Sequence, residues 1–176
     1  MSDNVDRVDP VHSAPDEVAV FRKVSLRLLP FLFLLYVINL IDRTNIGIAR
    51  LQMVDEQSIL DEEAYALGAG IFYVGYLLFE VPSNLILRRI GARAWIARIL
   101  VSWGLISSAM MFVTGPWSFA TLRVLLGVAE AGFFPGIIYY LSDWFPARVR
   151  ARAVANFMIG GVIASMVGNP LSGFIL

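Results

Sequence analysis

Residues 117–142 read WSFATLRVLLGVAEAGFFPGIIYYLS, an apolar stretch interrupted by two charges, Arg123 and Glu130. At about 1.5 Å per residue, a helix of this length crosses the roughly 30 Å of hydrocarbon in a bilayer. Lipid is therefore the solvent that the stretch predicts. A charge inside such a helix costs about 2.5–3.5 kcal/mol on insertion scales, so Arg123 and Glu130 should face water or other polar groups rather than lipid.

Working outward, similar apolar runs occupy 28–49, 66–87, 95–113 and 153–176. The expected fold is all-α, a polytopic transmembrane bundle of five helices over residues 21–176, preceded by a disordered polar tail over residues 1–20. Composition agrees, because 58% of the 176 residues are hydrophobic and 16% charged, and the mean hydropathy is +0.71. That is far too apolar for an ordinary soluble domain. The tail holds Asp3, Asp6, Asp9, Asp16 and Glu17 and has no apolar core before Phe21, so it does not read as a cleavable signal peptide. The first membrane helix must then direct insertion itself. The chain has no cysteine, which excludes a thiolate metal site, and its one histidine, His12, lies in the tail, where a solvated role is the plainer reading. No metal or cofactor is expected. Zero net charge provides no global field to attract nucleic acid.

The arginines are informative by position. If five helices alternate, Arg22, Lys23 and Arg27, then Arg88, Arg89 and Arg93, then Arg148, Arg150 and Arg152 all fall on one side. The positive-inside rule makes that side, with the amino terminus, cytoplasmic, in a cell inner or plasma membrane. The opposite loops hold Arg50 with Asp55, Glu56, Asp61, Glu62 and Glu63, then almost no charge. The last run reaches Leu176 without a cap or closing loop, which reads as an interrupted chain, with a complete five-helix protein as the alternative.

Four ionisable residues lie well inside the expected helices: Asp42 and Arg43 in the first, Arg123 and Glu130 in the fourth. Asp42 and Arg43 sit about 10 Å below the outer end of their helix and Arg123 about 9 Å below the start of its own, so the three can meet at one level. Glu130 follows seven residues after Arg123, on the same face and about 10 Å deeper. Tyr36, Asn39 and Arg43 form a polar stripe with Asp42 beside it. Unprotonated Asp42 is expected to hold Arg123 or Arg43, whereas Glu130 has no obvious fixed partner and is the better sign of proton exchange. The plainer alternative is a structural Asp42–Arg123 ion pair with Arg43 snorkelling to the outer interface. Tyr76 offers a hydroxyl to a ligand. Glu80 and Asp143, at the inner helix ends, read as clamps to Arg88, Arg89, Arg148 and Arg150. Small residues recur at Gly160, Ala164, Gly168 and Ser172 in the last helix and at Gly127, Ala131, Gly132 and Gly136 in the fourth, which predicts close helix approach. Pro135 and Pro170 invite kinks.

The runs IDRTNIGIA (41–49), GIFYVGYLLFEVPSNLILRRIGAR (70–93), LRVLLGVAEAGFFPGIIYYLSDWFPARVRARA (122–153) and NPLSG (169–173) closely resemble the amino-terminal half of the major facilitator superfamily, specifically its anion:cation symporter family. The likeness extends from about Phe21 onward. It implies twelve helices in two halves, of which this chain holds part of one, and uptake of organic anions such as sugar acids, tartrate or phthalate, mostly with protons. It further implies Asp42 and Glu130 as proton-coupling carboxylates, and Arg43 and Arg123 as partners of the substrate or of those acids. Asn39 and Tyr76 complete the expected substrate contacts. In the family's loop between the second and third helices a glycine is followed by an acid and then basic residues. Here Asn84 and Arg88 stand in the first two places, while Arg89, Gly91 and Arg93 keep the rest, with a gating or structural role.

The expected function is thus transport of a small carboxylate by proton symport, with sodium as the alternative coupling ion, in membrane lipid, together with the second half of the transporter. A chain that transports nothing by itself, as a truncated product or an assembly module, is the rival reading, because alternating access needs two halves. An enzyme is disfavoured, since no nucleophile and base are recognisable within the helices.

Overall fold

Apolar runs of membrane length become helices, because lipid offers backbone groups no hydrogen-bond partner. In the computed structural model, residues 15–56 and 59–175 are described, without side chains at 15–21, 48, 49, 52, 55, 56, 148, 160, 161, 164, 165 and 167–175. Six α-helices follow in order: α1 (Pro15–Arg50), α2 (Glu62–Ile90), α3 (Ala92–Ala109), α4 (Pro116–Glu130), α5 (Phe133–Trp144) and α6 (Ala147–Ile175). The stretch 117–142 forms most of α4 and α5, two helices in one span broken at Ala131 and Gly132. With α1, α2, α3 and α6 this makes five helical segments among the described residues. Among the described residues, Arg22–Gly47, Glu62–Ile90, Ala92–Phe112 and Pro116–Trp144 are long and apolar enough to cross a bilayer, so the chain is a multi-pass membrane protein.

The helices start further out than the apolar runs. Hydropathy marks only the part of a helix in hydrocarbon, whereas backbone hydrogen bonding continues into the interface. α1 begins at Pro15, so residues 15–20 of the expected tail are helical, and residues 1–14, His12 included, lie outside the described residues. α6 begins at Ala147, which places Arg148, Arg150 and Arg152 on its first turns rather than in a loop. Asp61 caps α2 by accepting from the Ala64 amide at 2.7 Å. Arg50 at the end of α1 pairs with Glu62 at the start of α2. At the other end of α2, Gly91 turns the chain with φ 96°, and its amide donates to Leu87 O at 2.8 Å.

Apolar side chains are sorted in a way that fits lipid. Leu67, Leu77, Leu78, Val101, Leu105 and Met111 point outward, each more than three-fifths exposed. Inside, three apolar clusters stack along the bundle. One joins Leu32, Leu87, Ile96, Phe133, Leu141 and Phe157 at the arginine-rich end. Phe72, Trp103, Leu126 and Ala129 fill the middle, and Leu60, Val113 and Phe119 the far end. The most extensive helix pair is α2 with α4, followed by α1 with α6. Glycine brings α2 and α4 together: a Cβ on Gly127 would lie 2.1 Å from the Phe72 carbonyl oxygen, and one on Gly75 would lie 2.7 Å from the Val124 carbonyl oxygen. The small-residue stripe of the last helix lies outside the described side chains.

Candidate functional site

Glu130 is the last residue of α4 and has no exposed surface. One of its oxygens, Oε2, accepts from Asn39 Nδ2 at 2.9 Å and from Arg43 Nε at 2.8 Å, and Arg43 Nη2 lies 2.8 Å from the same oxygen. The other, Oε1, is buried and has no hydrogen-bond partner among the described residues. A fully buried carboxylate needs this arrangement, since an unpaired charge out of water is strongly unfavourable. Asn39 lies one helical turn, about 6 Å, inward of Arg43 on the same helix, toward the depth of Glu130. Arg43 reaches it because its side chain folds back along that turn.

The sequence-based pairing is therefore corrected. Glu130 has fixed partners, Arg43 turns inward instead of snorkelling, and Asp42 holds neither arginine. Asp42 instead accepts from α3, with Trp103 Nε1 at 2.9 Å and Ser107 Oγ at 2.6 Å. Among the described residues, the ion pairs are Arg43–Glu130 and Arg50–Glu62.

Arg123, 5% exposed, makes no ion pair among the described residues. Its Nε points to the Gly68 carbonyl at 3.4 Å, and its guanidinium lies 4.6 Å from the centre of the Phe72 ring. The same ring stands 5.3 Å from the Arg43 guanidinium, and the Tyr76 ring 4.9 Å from it. Phe72 and Tyr76, one turn apart on α2, thus form an aromatic wall for two cations, using the negative faces of their rings.

These groups border two spaces. A cavity of 230 Å³ is lined by Tyr36, Asn39, Arg43, Tyr76, Phe133 and Phe134, among others. A smaller one of 120 Å³ adjoins Asp42, Asn45, Ser107 and Arg123. The bundle so divides the expected site residues into two groups, with Asn39, Arg43, Tyr76 and Glu130 in one and Asp42 and Arg123 in the other. Sequence reasoning missed Trp103, Ser107 and Phe72. The four-residue spacing of Trp103 and Ser107 puts both on one face of α3, a signal that could have flagged them as donors.

At the arginine-rich end, Gly91, Arg93, Tyr140 and Asp143 line a cleft of 490 Å³. Glu80 and Asp143 form no ion pair with Arg88, Arg89 or Arg150 among the described residues, which departs from the expected clamps. Arg150 instead points Nε and Nη2 at the carbonyls of Phe145 and Ser142, at 3.3 and 3.4 Å, tying the start of α6 to the end of α5. Arg89 is exposed, and the Arg148 side chain lies outside the described residues.

The family model of the Major Facilitator Superfamily matches residues 32–176. An Agrobacterium vitis protein named as a candidate tartrate transporter is 54% identical over 160 residues, covering 91% of this chain and 37% of its own length. A quinolone resistance transporter of Acinetobacter baumannii is 50% identical, covering 91% of this chain and 37% of its own. The inner membrane transport protein RhmT of Escherichia coli K12 is 48% identical, over 90% and 37%. The chain spans less than two-fifths of the length of these relatives. Its helices form a partial bundle of that fold. The chain belongs to the Major Facilitator Superfamily, a family of transport proteins rather than enzymes.

Proposed function

We propose that a complete carrier built on this chain moves a small organic carboxylate across the cell inner membrane by proton symport, with Glu130 as the coupling acid. The observation that carries this reading is the buried Glu130, which holds Arg43 through one oxygen while the other has no partner among the described residues. A proton on Glu130 removes the charge that holds Arg43. The freed guanidinium, beside the 230 Å³ cavity, then presents its fork to a substrate carboxylate, which accepts two parallel N–H bonds. Charge in the cavity stays balanced, because the incoming anion replaces the carboxylate that was neutralised. Tyr36, Tyr76, Phe133 and Phe134 enclose the rest of the substrate. The tartrate transporter among the relatives supports a carboxylate, and the RhmT name supports the inner membrane.

Asp42, held by Trp103 and Ser107, serves as a second coupling carboxylate, and Arg123 faces it across the smaller cavity. Gly91, Arg93 and Asp143 work at the cytoplasmic end, the face marked by the arginines. The test is Glu130→Gln in the full-length carrier, reconstituted in liposomes. Proton-driven accumulation of a labelled carboxylate should disappear while exchange across the membrane survives. Unchanged pH dependence of uptake would remove the coupling role.

A further inference from the structure

The span that carries Glu130 breaks one residue after it, and the sequence explains the break. In an unbroken helix the Ala131 carbonyl would accept from the amide four residues on, but Pro135 has no N–H and its ring crowds that carbonyl. The chain escapes at Gly132, whose φ of 83° is rarely adopted by other residues. The helix therefore leaves the Ala131 carbonyl without its usual donor, and Ala131 is fully buried. A donor arrives from α2, where Ser83 Oγ donates to Ala131 O at 2.6 Å. Its single proton is thereby used, so the hydroxyl can only accept from its other neighbour, and Trp95 Nε1 of α3 donates to it at 2.9 Å. A Cβ on Gly132 would lie 2.3 Å from Ser83 Oγ, so glycine serves both the turn and the close approach.

We propose that Ser83, seated by Trp95, is a positioning residue for Glu130: it pins the α4–α5 break so that the carboxyl stays within reach of Asn39 and Arg43. Release of the Ser83–Ala131 bond frees the hinge about which α4 and its charges swing relative to α5. This rests on the coupling role of Glu130. Neither Ser83 nor Trp95 lines the cavity beside Arg43, so any effect of replacing them passes through the break.

The experiment uses the full-length carrier in detergent, with Ser83→Ala and Trp95→Phe, the latter keeping a ring while deleting the N–H. Hydrogen exchange of the segment after Ala131 is followed by mass spectrometry, and the infrared carboxyl band that Glu130→Gln removes is titrated. Ser83→Ala should speed exchange of that segment about tenfold and displace the midpoint of the band by about half a unit or more. Trp95→Phe should move both readouts in the same sense by less, and it carries the test if Ser83→Ala fails to fold. Faster exchange with an unmoved midpoint would make Ser83 a mere cap and overturn the proposal, as would no change in either readout. A wild-type carrier without any Glu130-dependent band would overturn the coupling role instead.

Discussion

Gly127→Ala adds one methyl group at the closest point between α2 and α4. An ideal Cβ there lies 2.1 Å from the Phe72 carbonyl oxygen and 3.0 Å from the Tyr76 amide nitrogen. Ordinary van der Waals contact requires about 3.5 Å, so the two helices must part by about 1.4 Å. The obstacle is backbone, which cannot rotate away as a side-chain tip can. Overpacking of this kind costs about 1–3 kcal/mol, and a backbone obstacle argues for the upper part of that range. The consequence for transport follows from the ring next to the clash: Phe72 lies against both Arg43 and Arg123, so parting the helices misplaces both cations. Misplacement by about 1 Å can cost up to about a hundredfold in rate. The matched control is Gly104→Ala in α3, where no atom lies within 4 Å of the added carbon. There the helix gains up to about 1 kcal/mol in propensity. Denaturing-detergent titration of the full-length carrier, read by tryptophan fluorescence, measures stability, and uptake into liposomes measures function. Equal unfolding midpoints for Gly127→Ala and Gly104→Ala would refute the claim that glycine sets the α2–α4 distance.

Two further outcomes follow from the polar contacts. Arg43→Lys keeps the charge beside Glu130 but loses the planar fork, so uptake of a carboxylate should fall about tenfold in labelled-substrate assays; wild-type rates would mean that a point charge suffices. Trp103→Phe and Ser107→Ala each remove one donor from Asp42 and should each lower unfolding stability by about 1 kcal/mol. Because both serve one carboxylate, their effects should couple in a double-mutant cycle; simple additivity would show that the two bonds act independently.

Much of the bundle was legible in the sequence. The rise per residue and the thickness of hydrocarbon pick out helices of membrane length, which the structure has at Arg22–Gly47, Glu62–Ile90, Ala92–Phe112 and Pro116–Trp144, and that length does not depend on what a helix packs against. Asp42, Arg43, Arg123 and Glu130 stood out for that reason, as did the polar stripe of Tyr36, Asn39 and Arg43. Pro135 marked the irregularity in the fourth span, although a kink was expected and two separate helices are found, with the break at Gly132, which the sequence had marked only for close packing.

Which acid meets which base was decided only by the tertiary structure. Matching depths put Arg43 beside Arg123 and Asp42, yet a guanidinium on a long flexible stem can travel a full turn, so depth at the backbone does not fix where its charge lies. Rotation about each helix axis decided the rest. The glycine contacts between α2 and α4 orient Phe72 toward both arginines, and the face that α3 presents gives Asp42 to Trp103 and Ser107. The rise along one helix is a property of the chain itself, whereas rotation and reach depend on neighbours far away in sequence, which is why the levels could be read early and the partners only from the folded bundle.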